Sequence, residues 1–160
     1  MPSLVCADAS ILIKLMTTEP DSDRADGLWE QWKNQGVEVV APTLLLFELT
    51  SVLRNKVHRG LLTAEEGDIA FDMMEQLPIS IRFPSGLHRR AWELATELNR
   101  PAAYDSHYLA LAEIEGCNFW TADERLFNAV KGQLPWVKWL GDFQVSDTLP
   151  EHAPAPAGSQ

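Results

Sequence analysis

Four carboxylates stand where apolar segments of the chain end or are interrupted. Asp8 and Asp123 each follow a short apolar run, Glu48 interrupts a run of leucine and phenylalanine, and Asp105 opens a largely apolar segment. Burying a carboxylate among apolar groups is costly unless something compensates its charge. Such acids recurring along one short chain predict a shared compensator, and a divalent cation is the simplest one.

The residue types favour magnesium or manganese chemistry. Two carboxylates about 4 Å apart repel each other by roughly 4 kcal/mol at an effective dielectric constant of 20. A cluster of them therefore requires either protonation or a bound dication. Carboxylate oxygens suit Mg²⁺ or Mn²⁺, whereas the cysteines and histidines show no zinc-binding spacing. Such a site can activate water and hold phosphate oxygens, as phosphodiester hydrolysis requires.

Alternating strand-like and helix-like segments must position these acids. Sequence patterns predict strands over residues 4–7, 37–41, 79–83, 118–121 and 136–139, and helices over 9–17, 23–33, 44–59, 64–76, 86–99, 103–115 and 124–130. This alternation predicts an α/β fold with a mainly parallel sheet. Ligands bind at the carboxyl edge of such sheets. Since Asp8 and Asp123 follow strands and the other two acids open helices, we expect all four at that edge.

Each acid also has a local explanation. Asp8 and Asp123 could serve as helix N-caps, and Asp105 could favour the dipole in the first turn of its helix. Glu48 has the weakest local explanation, because it interrupts an apolar helix face. Taken together, a metal site explains the four positions better than four independent coincidences.

Composition predicts one soluble domain. The chain has 160 residues, 46% of them hydrophobic, and a net charge of −10. The acidity argues against tight non-specific nucleic-acid binding. Basic residues do cluster at Arg54–Arg59, at Arg82 and at His88–Arg90, although a solvated helix face is their simpler explanation. The amino-terminal residues lack signal-peptide features, and Cys6 and Cys117 match no disulfide framework, so we expect a cytoplasmic protein with reduced thiols.

The ordered motifs resemble those of PIN-domain ribonucleases, and in particular the VapC-like toxins of bacterial toxin–antitoxin pairs. The resemblance spans about residues 3–140 and rests on segments 5–10, 105–112 and 121–123 together with Glu48. It implies a three-layer α/β/α sandwich with a mainly parallel sheet. It also implies an endoribonuclease that uses Mg²⁺ or Mn²⁺ to hydrolyse single-stranded or looped RNA.

The resemblance also assigns roles to individual residues. Carried over by motif are the metal-site acids Asp8, Glu48, Asp105 and Asp123 and the supporting hydroxyls of Ser10 and Thr121. Asp8 and Asp105 are expected to contact the ion directly or through water, with Asp123 as a third metal ligand. Glu48 and Asp123 would complete the shell and orient the attacking water.

Several further assignments follow from the resemblance. VapC-like proteins form homodimers and are held inactive by a small antitoxin, so both partners are expected here. Trp29 and Trp32 are candidates for an antitoxin groove, with core packing at least as good an explanation. His107 is a candidate proton donor or a plain helix-face histidine, and Glu19 is a candidate for the pocket rim.

Other functions fit the sequence less well. A haloacid-dehalogenase-type phosphatase needs a second acid at the position of Ser10, and a receiver domain needs an acid pair near Asp8 and a late lysine. A structure-specific deoxyribonuclease would need a DNA-clamping module. The stronger alternative is a catalytically silent PIN-like module that binds RNA or protein. We expect residues 1–146 to form the nuclease domain and the Pro/Ala-rich residues 147–160 to be disordered.

Overall fold

The computed structural model describes residues 2–145, and the tail predicted for 147–160 lies outside them. The strands are β1 (Leu4–Ala7), β2 (Glu38–Ala41), β3 (Ile79–Ile81), β4 (Asn118–Thr121) and β5 (Val137–Trp139). The helices are α1 (Ala9–Met16), α2 (Ser22–Asn34), α3 (Leu44–His58), α4 (Ala64–Gln76), α5 (Leu87–Glu97), α6 (Tyr104–Glu115), α7 (Glu124–Val130) and a 3-10 turn at Leu140–Asp142. The predicted order of elements is confirmed.

The five strands form one sheet in the order β3-β2-β1-β4-β5. Every neighbouring pair is parallel, so the sheet is fully rather than mainly parallel. The chain builds outward from β1 through β2 to β3 and then returns to the other side of β1 for β4 and β5. This reversal creates a crevice between the carboxyl ends of β1 and β4, where ligands of open α/β sheets bind.

Both faces of the sheet are covered by helices. Successive side chains of a strand point to opposite faces, and in β1 Val5 and Ala7 pack into one apolar cluster while Cys6 packs into the other. The larger cluster includes Tyr108 and Phe119, and the smaller includes residues of α2 and the 3-10 turn. The expected three-layer α/β/α sandwich is therefore confirmed.

The helix ends follow local sequence signals in some places and not in others. Thr63 and Glu66 form a capping box at the start of α4. Thr43 precedes α3 without a side-chain capping hydrogen bond. Strand β3 ends at Ile81 rather than residue 83, because pairing with β2 stops where Pro42 interrupts it.

Helix α6 connects the sheet edge to the next strand. It ends at Gly116, whose φ of 66° allows the sharp reversal into β4. Because α6 runs antiparallel to β4, its first residues lie at the carboxyl edge of the sheet, where β1 and β4 end. The first turns of α3 and α6 and the loops after β1 and β4 thus share one edge.

Candidate active site

Asp8 lies at the end of the central strand and is buried, with only 7% of the residue exposed. One carboxylate oxygen, Oδ1, accepts hydrogen bonds from the Ser10 backbone N–H at 3.1 Å and from the Ser10 hydroxyl at 2.5 Å. The other oxygen, Oδ2, accepts from the Thr121 hydroxyl at 2.6 Å. Asp8 is therefore an N-cap of α1, as its local explanation required, and is also tied to the neighbouring strand β4.

The burial of Asp8 has an electrostatic consequence. Burial raises the pKa of its carboxyl to about 7, and the Ser10 and Thr121 hydroxyls only partly oppose this. The charges of Asp105 and Glu48 raise the pKa of Asp8 further. No Lys or Arg forms an ion pair with Asp8 in the part of the chain that the structure describes. Its charge is thus uncompensated by protein groups.

The hydroxyls beside Asp8 form a connected network. The Ser10 hydroxyl accepts from the Ala122 backbone N–H at 2.8 Å, and the Thr121 hydroxyl accepts from the Asp123 backbone N–H at 3.0 Å. These bonds use both hydroxyls as donor and acceptor, which fixes their direction toward Asp8. The predicted supporting residues therefore join the start of α1 to the segment leading into α7.

Glu48 faces the same edge from α3 and is held by Tyr108. The Tyr108 hydroxyl, almost completely buried, donates to Glu48 Oε1 at 2.7 Å. Burial raises the pKa of Glu48, the tyrosine hydrogen bond lowers it in part, and the charge of Asp105 raises it. This acid on an apolar helix face thus has a neutral partner, and no ion pair involves it among residues 2–145.

Asp105 and Asp123 complete the edge. Asp105 is half-buried at the start of α6, and Arg100 Nη2 lies 3.7 Å from its Oδ2. Burial raises the pKa of Asp105, Arg100 lowers it in part, and the charge of Asp123 raises it. Asp123 is exposed and caps α7, with Oδ1 accepting from the backbone N–H groups of Arg125 and Leu126.

The four acids therefore influence one another electrostatically without forming a ready-made coordination shell. Within residues 2–145, no three carboxylate, imidazole or thiol groups lie close enough together to hold one ion as they stand. Each acid instead has a different partner: hydroxyls for Asp8, a phenol for Glu48, a guanidinium for Asp105 and backbone amides for Asp123. Mutual repulsion favours such separate partners.

The donor set nevertheless fits a hard divalent cation. Asp8 is a buried carboxylate with neutral hydrogen-bond partners, and a dication would lower its pKa and stabilise its ionised form. All the donors are carboxylate or hydroxyl oxygens, which suit Mg²⁺ or Mn²⁺. Both oxygens of the Asp8 carboxylate are oriented by hydroxyls, so this side chain would offer a fixed ligand to such a cation.

Other residues considered from the sequence lie in different surroundings. His107 Nε2 lies 2.8 Å from His88 Nδ1, and Glu19 pairs with Lys56 on the last turn of α3. Trp32 is buried in the smaller apolar cluster and contacts Trp29 edge to face, which is core packing. These groups are thus engaged in contacts of their own.

The cationic clusters are partly neutralised. Arg82 pairs with Glu38 and Glu115, and Arg90 pairs with Glu93, Glu97 and Glu113. These ion pairs join helices and strands and leave these two arginines little capacity for phosphate. Of these two arginines, Arg90 lies on helix α5, whereas Arg82 lies in the loop after β3.

Comparison with known proteins agrees with this geometry. Residues 5–133 match the PIN domain family. The chain belongs to the PIN-domain family. The ordered sequence motifs had indicated this fold. The switch point of the PIN domain, where the strand order reverses, is the crevice between β1 and β4.

Individual relatives support the same family. Ribonuclease VapC9 of Mycobacterium tuberculosis is 38% identical over 95 residues, covering 59% of this PIN domain's chain and 72% of the relative. Ribonuclease VapC3 of the same organism is 30% identical over 128 residues, covering 80% and 88%. The structure of VapBC2 from Rickettsia felis bound to a DNA fragment from their promoter superposes with a TM-score of 0.59 at 18% identity, covering 78% and 91%. That likeness shows the fold.

Two partners of the acids were missed by sequence reasoning. Tyr108 belongs to a recognised motif, but nothing in the sequence pairs it with Glu48, which lies 60 residues away. Arg100 lies only five positions before Asp105, so a basic residue close to a candidate site acid was the available signal. Its meaning depends on the loop conformation, which the pattern does not reveal.

The buried Asp8 predicts an unusual dependence of stability on pH. In metal-free protein the folded state holds the Asp8 proton up to pH about 7, whereas the unfolded chain releases it near pH 4. The contribution of Asp8 is therefore fully present below pH 4 and declines by about 4 kcal/mol as the pH rises through 7. Asp8→Asn removes this decline, so in EDTA the variant should gain stability relative to wild type between pH 4 and 8.

Urea denaturation across this pH range measures the difference, with the exposed Asp68→Asn as the matched control. Adding Mg²⁺ at pH 8 should stabilise wild type and leave Asp8→Asn unchanged. A stability difference between wild type and Asp8→Asn that is independent of pH would contradict the electrostatic account of Asp8.

Proposed function

We propose that this chain is a metal-dependent endoribonuclease that hydrolyses RNA phosphodiester bonds and acts as the toxin of a toxin–antitoxin pair. The observation that carries the proposal is the buried, uncompensated Asp8 at the switch point, with Glu48, Asp105 and Asp123 around it. The names of the relatives, ribonucleases VapC9 and VapC3, support the reaction and the substrate class.

The surroundings of the four acids support different roles for them in the reaction. Asp8, Asp105 and Asp123 would hold Mg²⁺ or Mn²⁺, which when bound supplies a Lewis acid at the phosphate and lowers the pKa of water. Ser10 and Thr121 already orient the Asp8 carboxylate, so Asp8 would bind the ion without a change in its side-chain conformation. Glu48 is the base that orients the attacking water. Burial disfavours its ionised form, and the hydrogen bond from Tyr108 fixes its carboxylate.

The reaction that this arrangement supports is a hydrolysis. A water oxygen forms a new bond to phosphorus, Glu48 accepts the proton of that water, and the P–O bond to the leaving ribose oxygen breaks. The leaving oxygen takes up a proton from solvent. This scheme needs carboxylates in two roles, and the different hydrogen-bond partners of Asp8 and Glu48, hydroxyls and a phenol, support assigning them to different roles.

An antitoxin and a second copy of the chain are the proposed protein partners. Exposed apolar side chains on α3, α4 and α5, including Phe47, Ile69 and Trp92, offer surface for such contacts. An antitoxin that places a cation beside Asp8 would compensate its charge and block the metal. The cytoplasm is the proposed compartment, since Cys6 and Cys117 are both free thiols.

Cleavage of total cellular RNA by the purified, antitoxin-free protein tests the function. Discrete products should form with Mn²⁺ or Mg²⁺, vanish with EDTA and be lost in Asp105→Asn, because that variant lacks an ionised ligand. Asp68→Asn, an exposed acid on α4, is the matched control and should cleave normally. Folded, metal-loaded wild type that cleaves no RNA would instead favour the silent binding module.

Tyr108→Phe tests the role of Glu48. Without the phenol the pKa of Glu48 rises further, so the rise of kcat with pH should move to higher pH. Loss of a hydrogen bond to a charged group predicts about a 10-fold lower kcat at neutral pH. The pH–rate profile measures this, with Thr96→Val as a control that removes an exposed hydroxyl. An unchanged profile in Tyr108→Phe would exclude Glu48 as the base.

A further inference from the structure

The loop between α5 and α6 has a fixed backbone next to the site. Two residues after the end of α5, Asn99 adopts the left-handed conformation, with φ of 51°. The backbone N–H of Arg100 then donates to the carbonyl of Ala95 at 2.7 Å, and that of Asn99 donates to Thr96 at 3.1 Å. This closing pattern is the Schellman motif of helix ends. It places Arg100 in a defined position ahead of Pro101.

Arg100 is the cation that reaches a candidate site acid. Among the ion pairs of residues 2–145, the one that involves a candidate site acid joins Arg100 to Asp105, at 3.7 Å. That distance is longer than a good hydrogen-bonded ion pair, and the side chain of Arg100 is 27% exposed. Arg100 is therefore paired with Asp105 at a long distance while part of its guanidinium faces solvent.

Tyr104 lies beside the same acid and has an open ring. It is the first residue of α6, directly precedes Asp105, and is 68% exposed. By contrast Tyr108, one helical turn further along, is 1% exposed. An exposed aromatic ring costs little to cover with another flat apolar surface, and a nucleobase is such a surface.

We propose that segment 100–104 grips single-stranded RNA: the Arg100 guanidinium binds a backbone phosphate beside Asp105, and the Tyr104 ring stacks on an adjacent unpaired base. This inference rests on the proposed function and names the part of the chain that selects an unpaired substrate. Arg100 serves as a phosphate ligand once a cation neutralises Asp105, because the guanidinium then loses its own counter-ion.

The negative net charge of the protein means that RNA must be bound through local contacts. With a net charge of −10, the protein as a whole repels a polyanion, and Arg82 and Arg90 are each paired with glutamates. Affinity must therefore come from a few contacts at the site rather than from a general basic surface. Stacking adds affinity without net charge, and it requires a base that is free of its duplex partner.

Binding of a fluorescently labelled single-stranded RNA oligonucleotide, followed by anisotropy with Ca²⁺ present, tests the inference. Arg100→Ala should weaken binding about 10- to 100-fold and reduce the slope of log K against log salt by about 0.7. Tyr104→Ala should weaken binding about 5- to 100-fold with an unchanged slope, and Tyr104→Phe should restore it. The same sequence as a duplex should bind more weakly and be insensitive to Tyr104→Ala.

Arg89→Ala on α5 and Phe83→Ala between β3 and α5 are the matched controls, since they remove an exposed guanidinium and an exposed aromatic ring. If wild type cleaves RNA but the Arg100 and Tyr104 variants bind like these controls, the inference is overturned and the nuclease function stands. Retained RNA binding with loss of a protein partner in Tyr104→Ala would likewise overturn it. If wild type neither binds nor cleaves RNA, the proposed function fails and the inference fails with it.

Discussion

The structure depends on one feature that costs free energy, the burial of the Asp8 carboxylate at the crevice between β1 and β4. Burial moves the pKa of Asp8 to about 7, and the hydrogen bonds from Ser10 and Thr121 oppose this only in part. A soluble protein gains nothing in stability from an uncompensated buried charge. The proposed cation would compensate this charge, and the two hydroxyls already hold both carboxylate oxygens in place.

The remaining acids follow from the same constraint. A second or third carboxylate packed against Asp8 would add repulsion, and each neighbour has a partner that moderates its own charge. Tyr108 holds Glu48, Arg100 holds Asp105, and the first turn of α7 holds Asp123. These partners explain why the edge is acidic yet not preassembled around an ion.

Much of this organisation could be predicted from the sequence, because the carboxyl ends of parallel strands must meet at one edge. Asp8 and Asp123 follow β1 and β4 directly, so their proximity is a consequence of strand order. The Tyr108–Glu48 bond could not be predicted, since it joins α6 to α3 through packing. The role of Arg100 was hidden for another reason: it depends on Asn99 adopting a left-handed conformation, which local patterns do not specify.

The direct measure of the central claim is the ionisation of Asp8 itself, observed by carbon-13 NMR of its carboxyl group in a pH titration. Asp8→Asn assigns the resonance by its absence. We expect the pKa of the Asp8 carboxyl to be about 7 in metal-free protein and to decrease clearly when Mg²⁺ is added. An ordinary carboxyl pKa of about 4 without metal, unchanged by Mg²⁺, would contradict it, because Asp8 would then need no cation.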